Sequence, residues 1–217
     1  MTGDLIRTQI LSVQQLPNAD AALLSRLNVP EGHRSLGLIT TNCDDASYAA
    51  LDEATKKARV RVVYARSMYA GSGSASTKLA GEFIGILSAE NPAEIKSGLE
   101  AAILYLENEA FFRTANDDGS IVYFAQCISR TGSYLSKEAG VPEGTAMAYL
   151  IAPPVEAMMG LDAALKTADV QMNLFYGPPT ETNFAGGLLT GDQAACRAAC
   201  DAFADRVRGV AQKPVDN

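Results

Sequence analysis

Apolar positions along this chain change period several times, and each change predicts an element. Residues 5–13 alternate apolar with polar and are rich in branched side chains, the period-two pattern of a strand, and residues 121–128 read the same way. Helical spacing follows over 18–27 and 133–139, each stretch ending before a Val-Pro-Glu-Gly turn whose proline and glycine stop a helix. Residues 36–40 and 147–152 are unbroken apolar runs, read as buried strands. A helix then starts near Ser47, with alanines at 50, 54 and 58 forming a smooth face and Glu53 and Lys57 on the other side. Residues 59–64 and 169–175 alternate as strands, with 81–87 and 184–189 as their returning partners. A last helix opens at Asn91-Pro92-Ala93-Glu94: asparagine caps it, proline takes the first helical position, and Ile95, Leu99, Ala102, Ile103 and Leu106 make its apolar stripe.

The order of elements occurs twice, and so do the letters. Val29-Pro30-Glu31-Gly32 returns as Val141-Pro142-Glu143-Gly144, 112 positions on. Asp52, Ala54, Lys56, Ala58 and Val60 return 110 positions on as Asp162, Ala164, Lys166, Ala168 and Val170. The step then falls to 102, pairing Ile86, Leu87 and Ser88 with Leu188, Leu189 and Thr190. An eight-residue excess therefore sits in the first copy between Val60 and Ile86, where Gly71-Ser72-Gly73-Ser74-Ala75-Ser76 forms a loop. A unit of about 105 residues exceeds a solenoid repeat and matches a small domain. The fold class is α+β: two tandem copies, 1–112 and 113–217, each a small antiparallel sheet with helices packed on one face.

Charge and cysteine usage narrow the chemistry. A net charge of −7 argues against nucleic acid, which favours a basic face that displaces counterions. No apolar run approaches the roughly 20 residues that span a bilayer, and Met1-Thr2-Gly3-Asp4 lacks a signal-peptide core, so a cytosolic protein is expected. Cys43, Cys127, Cys196 and Cys200 show no Cys-x-x-Cys spacing; Cys196 and Cys200 share a helix face and fall opposite Ile95 and Leu99 of the first copy, which favours core packing over a metal site. The single histidine, His33, follows a Pro-Glu-Gly turn and reads as a solvated loop residue. With no nucleophile and base at a recognisable spacing, and no glycine loop carrying a phosphate-binding lysine, neither catalysis, a cofactor nor a metal is expected.

Leu161-Asp162-Ala163-Ala164-Leu165-Lys166-Thr167-Ala168-Asp169-Val170, followed by a hairpin and Leu189-Thr190-Gly191-Asp192-Gln193-Ala194-Ala195, resembles the bacterial microcompartment shell domain. Arg34-Ser35-Leu36-Gly37-Leu38-Ile39, the 129–136 stretch around Arg130-Thr131-Gly132, Met147-Ala148-Tyr149-Leu150 and Glu181-Thr182-Asn183 narrow the likeness to the tandem-domain shell proteins of ethanolamine-utilization microcompartments. The resemblance implies circularly permuted domains, a homotrimer that tiles with other shell proteins in the organelle shell, a central pore gated by loops, and a small channel in each subunit. It places the gate on the hairpin loops carrying Tyr69, Gly71 and Gly73 in one copy and Pro178, Pro179 and Asn183 in the other. It places the channel at Asp44, Asp45, Glu82, Phe112, Glu181 and Thr182, a set suited to ethanolamine because carboxylates and a ring face attract an ammonium. Cobalamin is a candidate cargo of the pore on the same ground.

Taken by itself, Asp44-Asp45 also reads as a turn or N-cap pair ahead of the helix. The second copy has Pro153-Pro154 near that place, so an acidic channel would be asymmetric between copies. A cytosolic small-molecule-sensing regulator built from duplicated α+β domains is the alternative function; it would use the same carboxylates without assembling into layers.

Overall fold

The computed structural model describes residues 1–68, 82–178, 180 and 183–215. Elements follow in two parallel series. The first is β1 (Leu5–Arg7), β2 (Ile10–Leu16), α1 (Ala21–Arg26), β3 (Ser35–Thr41), α2 (Asp44–Lys57), β4 (Arg61–Met68), β5 (Glu82–Ala89) and α3 (Pro92–Asn108). The second is β6 (Phe111–Thr114), β7 (Val122–Ile128), α4 (Ser133–Ala139), β8 (Ala146–Ala152), α5 (Pro154–Thr167), β9 (Gln171–Tyr176), β10 (Ala185–Gly191) and α6 (Gln193–Gln212). The antiparallel sheets run β2-β3-β5-β4 and β1-β6-β7-β8-β10-β9, so the first order recurs inside the second as β7-β8-β10-β9.

Register repeats as closely as order. Leu16 pairs with Leu36, and their counterparts Ile128 and Met147 pair likewise. The ladder irregularity that skips Val63 recurs where it skips Asn173, 110 positions on. Asn28 and Gly140, 112 apart, both adopt a left-handed backbone after α1 and α4, at φ 50° and 66°. Asparagine tolerates that region better than most residues with a Cβ.

The helices α2 and α3 pack on the first sheet, and α5 and α6 on the second. Strand β8 is buried along its whole length because its two faces meet different cores. Ala146, Ala148, Leu150 and Ala152 join the cluster of α5 and α6, whereas Met147, Tyr149 and Ile151 join that of α2 and α3 in the first copy. An uninterrupted apolar run is thus what a strand between two cores requires.

Four expectations are corrected. The 5–13 stretch is two strands in different sheets, because β1 crosses to pair with β6 while β2 stays with β3; the intervening Gln9 backbone donates to Asn42 Oδ1 at 2.7 Å. The α2 helix begins at Asp44 instead of near Ser47, since Ser47 turns its hydroxyl onto the Cys43 carbonyl within the first turn. The helices do not all lie on one face of their own sheet, for α4 packs across onto α2. His33 is half-buried rather than solvated, its Nδ1 2.9 Å from Ser88 Oγ. Cys196 and Cys200 lie in the second core, where burial pushes both thiols up, Cys196 to about 11.

Candidate functional site: an acidic cavity between the two copies

The α2 and α4 helices meet at a joint built on one carboxylate. Asp52, fully buried in α2, accepts the backbone N–H groups of Gly132 and Leu135 at 2.7 and 2.8 Å, capping α4 from outside its own sequence. Gly132 offers no side-chain cap, so its neighbour supplies the acceptor. Thr55 Oγ1 takes the N–H of Ser133 at 3.0 Å, and Lys56 Nζ reaches the Arg130 carbonyl at 3.0 Å. Burial raises the Asp52 pKa, and the two N–H groups and Lys56 oppose that rise.

Beside this joint lies a cavity of about 440 Å³. The first turn of α2 presents Asp44 and Asp45 to it, β4 forms one wall, and Tyr134 of α4, Tyr149 of β8 and Tyr176 of β9 close it from the second copy. Arg61, Arg66 and Lys137 stand at exposed positions of the lining, with Glu138 among them. The interior is thus acidic and aromatic beneath a rim of mixed charge.

Both carboxylates are buried and each is held by one hydroxyl. Ser67 Oγ donates to Asp44 Oδ2 at 2.5 Å, and the Asp45 N–H donates to Asp44 Oδ1 at 2.9 Å. Tyr149 OH donates to Asp45 Oδ1 at 2.7 Å. Tyr48 ties the wall together, its ring 6.2 Å from that of Tyr134 across the joint and its hydroxyl accepting the Ser67 N–H at 3.0 Å. Burial pushes the Asp44 carboxyl up to about 6 against the pull of the Ser67 and Asp45 hydrogen bonds. Asp45 is raised well above the carboxylate range by burial and then by the adjacent Asp44 charge, with the Tyr149 hydroxyl opposing. Two carboxyls this close repel each other when both ionise. A bound cation would relieve that repulsion.

The other sequence-predicted residues fall differently. Glu82 opens β5, half-buried and paired with Met68 in the ladder, and is not part of the described lining. Phe112 is core: its ring stacks on Phe124 at 5.3 Å, and Phe124 meets Tyr149 edge-on at 5.4 Å, which puts Phe112 behind the wall. Glu181, Thr182, Tyr69, Gly71, Gly73 and Pro179 lie outside the described residues, as does most of the loop with the eight-residue excess. Pro178 and Asn183 are described; Asn183 has φ 65° and its N–H donates to Thr180 at 3.0 Å, with Thr180 and Phe184 lining the cavity. Sequence reasoning missed the tyrosines. A tyrosine in an otherwise apolar buried strand, as in the 146–152 run, needs a hydroxyl partner, and that was the available signal. Among the described residues no group of three His, Cys, Asp or Glu is placed to hold a metal, and no helix is long and apolar enough to cross a membrane.

A model of the BMC domain matches residues 35–115. Bacterial microcompartment shell protein EutL of Clostridium perfringens is 61% identical over 99% of this chain and 99% of its own length. The chain belongs to the EutL family of bacterial microcompartment shell proteins. EutL of Escherichia coli is 49% identical over 98% of this chain and 97% of its own. The crystal structure of ethanolamine utilization protein EutL from Leptotrichia buccalis superposes with a TM-score of 0.95 at 60% identity, covering the whole of both chains. A trimeric shell protein PduB shares the fold, with a TM-score of 0.76 at 21% identity over 94% of this chain and 89% of its own. Membership in the EutL family makes this chain a structural component of the microcompartment shell of ethanolamine utilization, not an enzyme.

Proposed function

We propose that three copies of this chain close into a pseudo-hexameric tile that assembles with other shell proteins, and that each chain's cavity takes a small protonated amino alcohol of the ethanolamine type. Two fused copies, 1–112 and 113–217, fill two of six ring positions, so closure needs three chains. The central opening is gated, on this reading, by the loops over 66–78 and 176–183, with cobalamin as a candidate cargo. Ethanolamine as ligand is carried by one observation: a buried carboxyl pair facing an aromatic-lined cavity that can enclose a few heavy atoms. The ammonium pairs with the carboxylates and tyrosine faces, and the hydroxyl finds acceptors among the tyrosine oxygens.

A charged hydrogen bond is worth about 1.5 to 3 kcal/mol. Two or three, less the cost of immobilising the ligand, give a dissociation constant of roughly micromolar to millimolar. Asp45→Asn keeps the shape and removes the charge, so calorimetry should show ethanolamine binding weakened about tenfold or more. Equal affinities would relegate the pair to helix capping.

The pH dependence has a definite sign. With Asp44 raised to about 6, protons compete for the carboxyls below that pH while the ligand remains an ammonium. Affinity is therefore expected to fall as pH drops from 7 to 5, up to about tenfold per pH unit for each proton displaced. A flat profile from pH 5 to 8 would exclude the acidic pair as the binding groups.

A further inference from the structure

A second cavity, of about 630 Å³, adjoins the same α2–α4 joint. The last turns of α2 and α3, the loop between β7 and α4, and the Val-Pro-Glu-Gly turn of the second copy line it. It shares no lining residue with the acidic cavity.

One side chain in this lining is unexplained by packing. Thr131 is 3% exposed, and its Oγ1 is, among the described residues, the one buried side-chain polar atom without a hydrogen-bond partner. Its backbone is bonded on both sides: the N–H donates to the Thr145 carbonyl at 3.0 Å, and the carbonyl accepts the Gly144 N–H at 2.8 Å. The loop thus holds the residue at the cavity wall. A buried hydroxyl with nothing to bond costs stability, and valine would fill the same space without that cost. The repeat sharpens the point, for 112 positions earlier the first copy carries Asn18 and Ala19 where the second has Arg130 and Thr131. The fold itself requires neither the guanidinium nor the hydroxyl.

Charges around the cavity divide into those already used and those left over. Lys56 Nζ bonds the Arg130 carbonyl at 3.0 Å and pairs with Glu53, which Lys57 approaches at 3.6 Å. Arg130, Glu109 and Glu143 are exposed in the lining and make no side-chain hydrogen bond or ion pair among the described residues. One cation beside an unbonded hydroxyl, together with two carboxylates, is complementary to a molecule that carries both charges. A bare anion would gain from Arg130 and lose against Glu109, Glu143 and the carbonyl end of α3; a bare cation would meet the reverse.

We infer that this cavity is a second ligand site, taking a small dipolar molecule with a carboxylate and an ammonium on a short chain, of the amino-acid type. The carboxylate takes the Arg130 fork and the Thr131 hydroxyl, and the ammonium pairs with Glu109 or Glu143. The inference stands apart from the ethanolamine and tile readings, which use none of these side chains.

Saturation-transfer difference NMR tests this on the full chain carrying Asp45→Asn, which weakens the acidic cavity toward ammonium ions, with glycine and β-alanine as probes. At least one of the two is expected to saturate in roughly the millimolar range. Acetate and methylammonium, with one charge each, should bind about tenfold more weakly or worse. Arg130→Gln should weaken the dipolar probe about tenfold or more, and so should Glu109→Gln combined with Glu143→Gln. All three side chains are exposed, so circular dichroism should stay unchanged. Thr131→Val should weaken the probe about threefold or more while the urea midpoint holds or rises, because the hydroxyl removed had no partner. Acetate binding as tightly as the dipolar probes would make this an anion site and overturn the assignment. Absence of saturable binding, binding unmoved by Arg130→Gln, or a lowered urea midpoint in Thr131→Val would overturn it as well.

Discussion

Replacing Asp52 by alanine is expected to lower the unfolding free energy of the chain by about 3 kcal/mol, although the residue touches no ligand. Its carboxylate accepts the Gly132 and Leu135 N–H groups, both in buried surroundings. Hydrogen bonds to a charged group are worth about 1.5 to 3 kcal/mol each, and leaving the donors unpaired forfeits them. Relief of the buried charge offsets part of that loss, as the raised pKa of Asp52 indicates. Asp52→Asn keeps one acceptor oxygen and should fall between wild type and alanine. Urea unfolding below the concentration at which chains associate reads the effect as a shift in midpoint at constant m-value. A loss under about 0.5 kcal/mol would mean that water satisfies those donors and that the joint is held by apolar packing alone.

Asp52 also shows what a sequence can and cannot display. The pairing of Asp52 with Asp162, Ala54 with Ala164 and Lys56 with Lys166 was legible, and the structure gives each pair equivalent places on α2 and α5. Nothing local distinguishes the two aspartates, yet one is fully buried and the other exposed. The difference arises because the chain supplies a neighbour to the first copy and none to the second. Burial at the joint is a property of the arrangement of copies, which alternation and capping patterns do not encode.

The acidic site was half legible. Asp44 and Asp45 stood out as adjacent carboxylates ahead of a helix, and they do face a cavity. Their placement inside the first turn was not visible, because Cys43 at the N-cap makes no side-chain hydrogen bond to signal the start. Tyr48, Tyr134, Tyr149 and Tyr176 come from four elements in two copies, so only the tertiary fold brings them together. The division of residues 5–13 between two sheets was hidden for the same reason: alternation predicts a strand but not its partner.

Gly132→Ala should cost about 2 to 3 kcal/mol, the usual range for forcing an extra methyl into closed packing. The new Cβ would strike Thr55 Oγ1 and lie 2.6 Å from the Asp52 backbone carbonyl, and only the first of these obstacles is a side chain. Thr55→Ala in the same chain therefore rescues part of the loss, while the backbone contact remains. Moving α4 outward to relieve it lengthens the bonds from Gly132 and Leu135 to the Asp52 carboxylate, so the two substitutions damage one structure. The cycle of Gly132→Ala with Asp52→Ala is accordingly expected to be less than additive by about 1 kcal/mol or more, as found for residues sharing one network. Additive losses would show that α4 stays in place when the methyl is added, with the strain taken up within α2. The cavity wall moves with α4 through Tyr134, so the glycine variant should also weaken ethanolamine binding without altering a single group proposed to touch it.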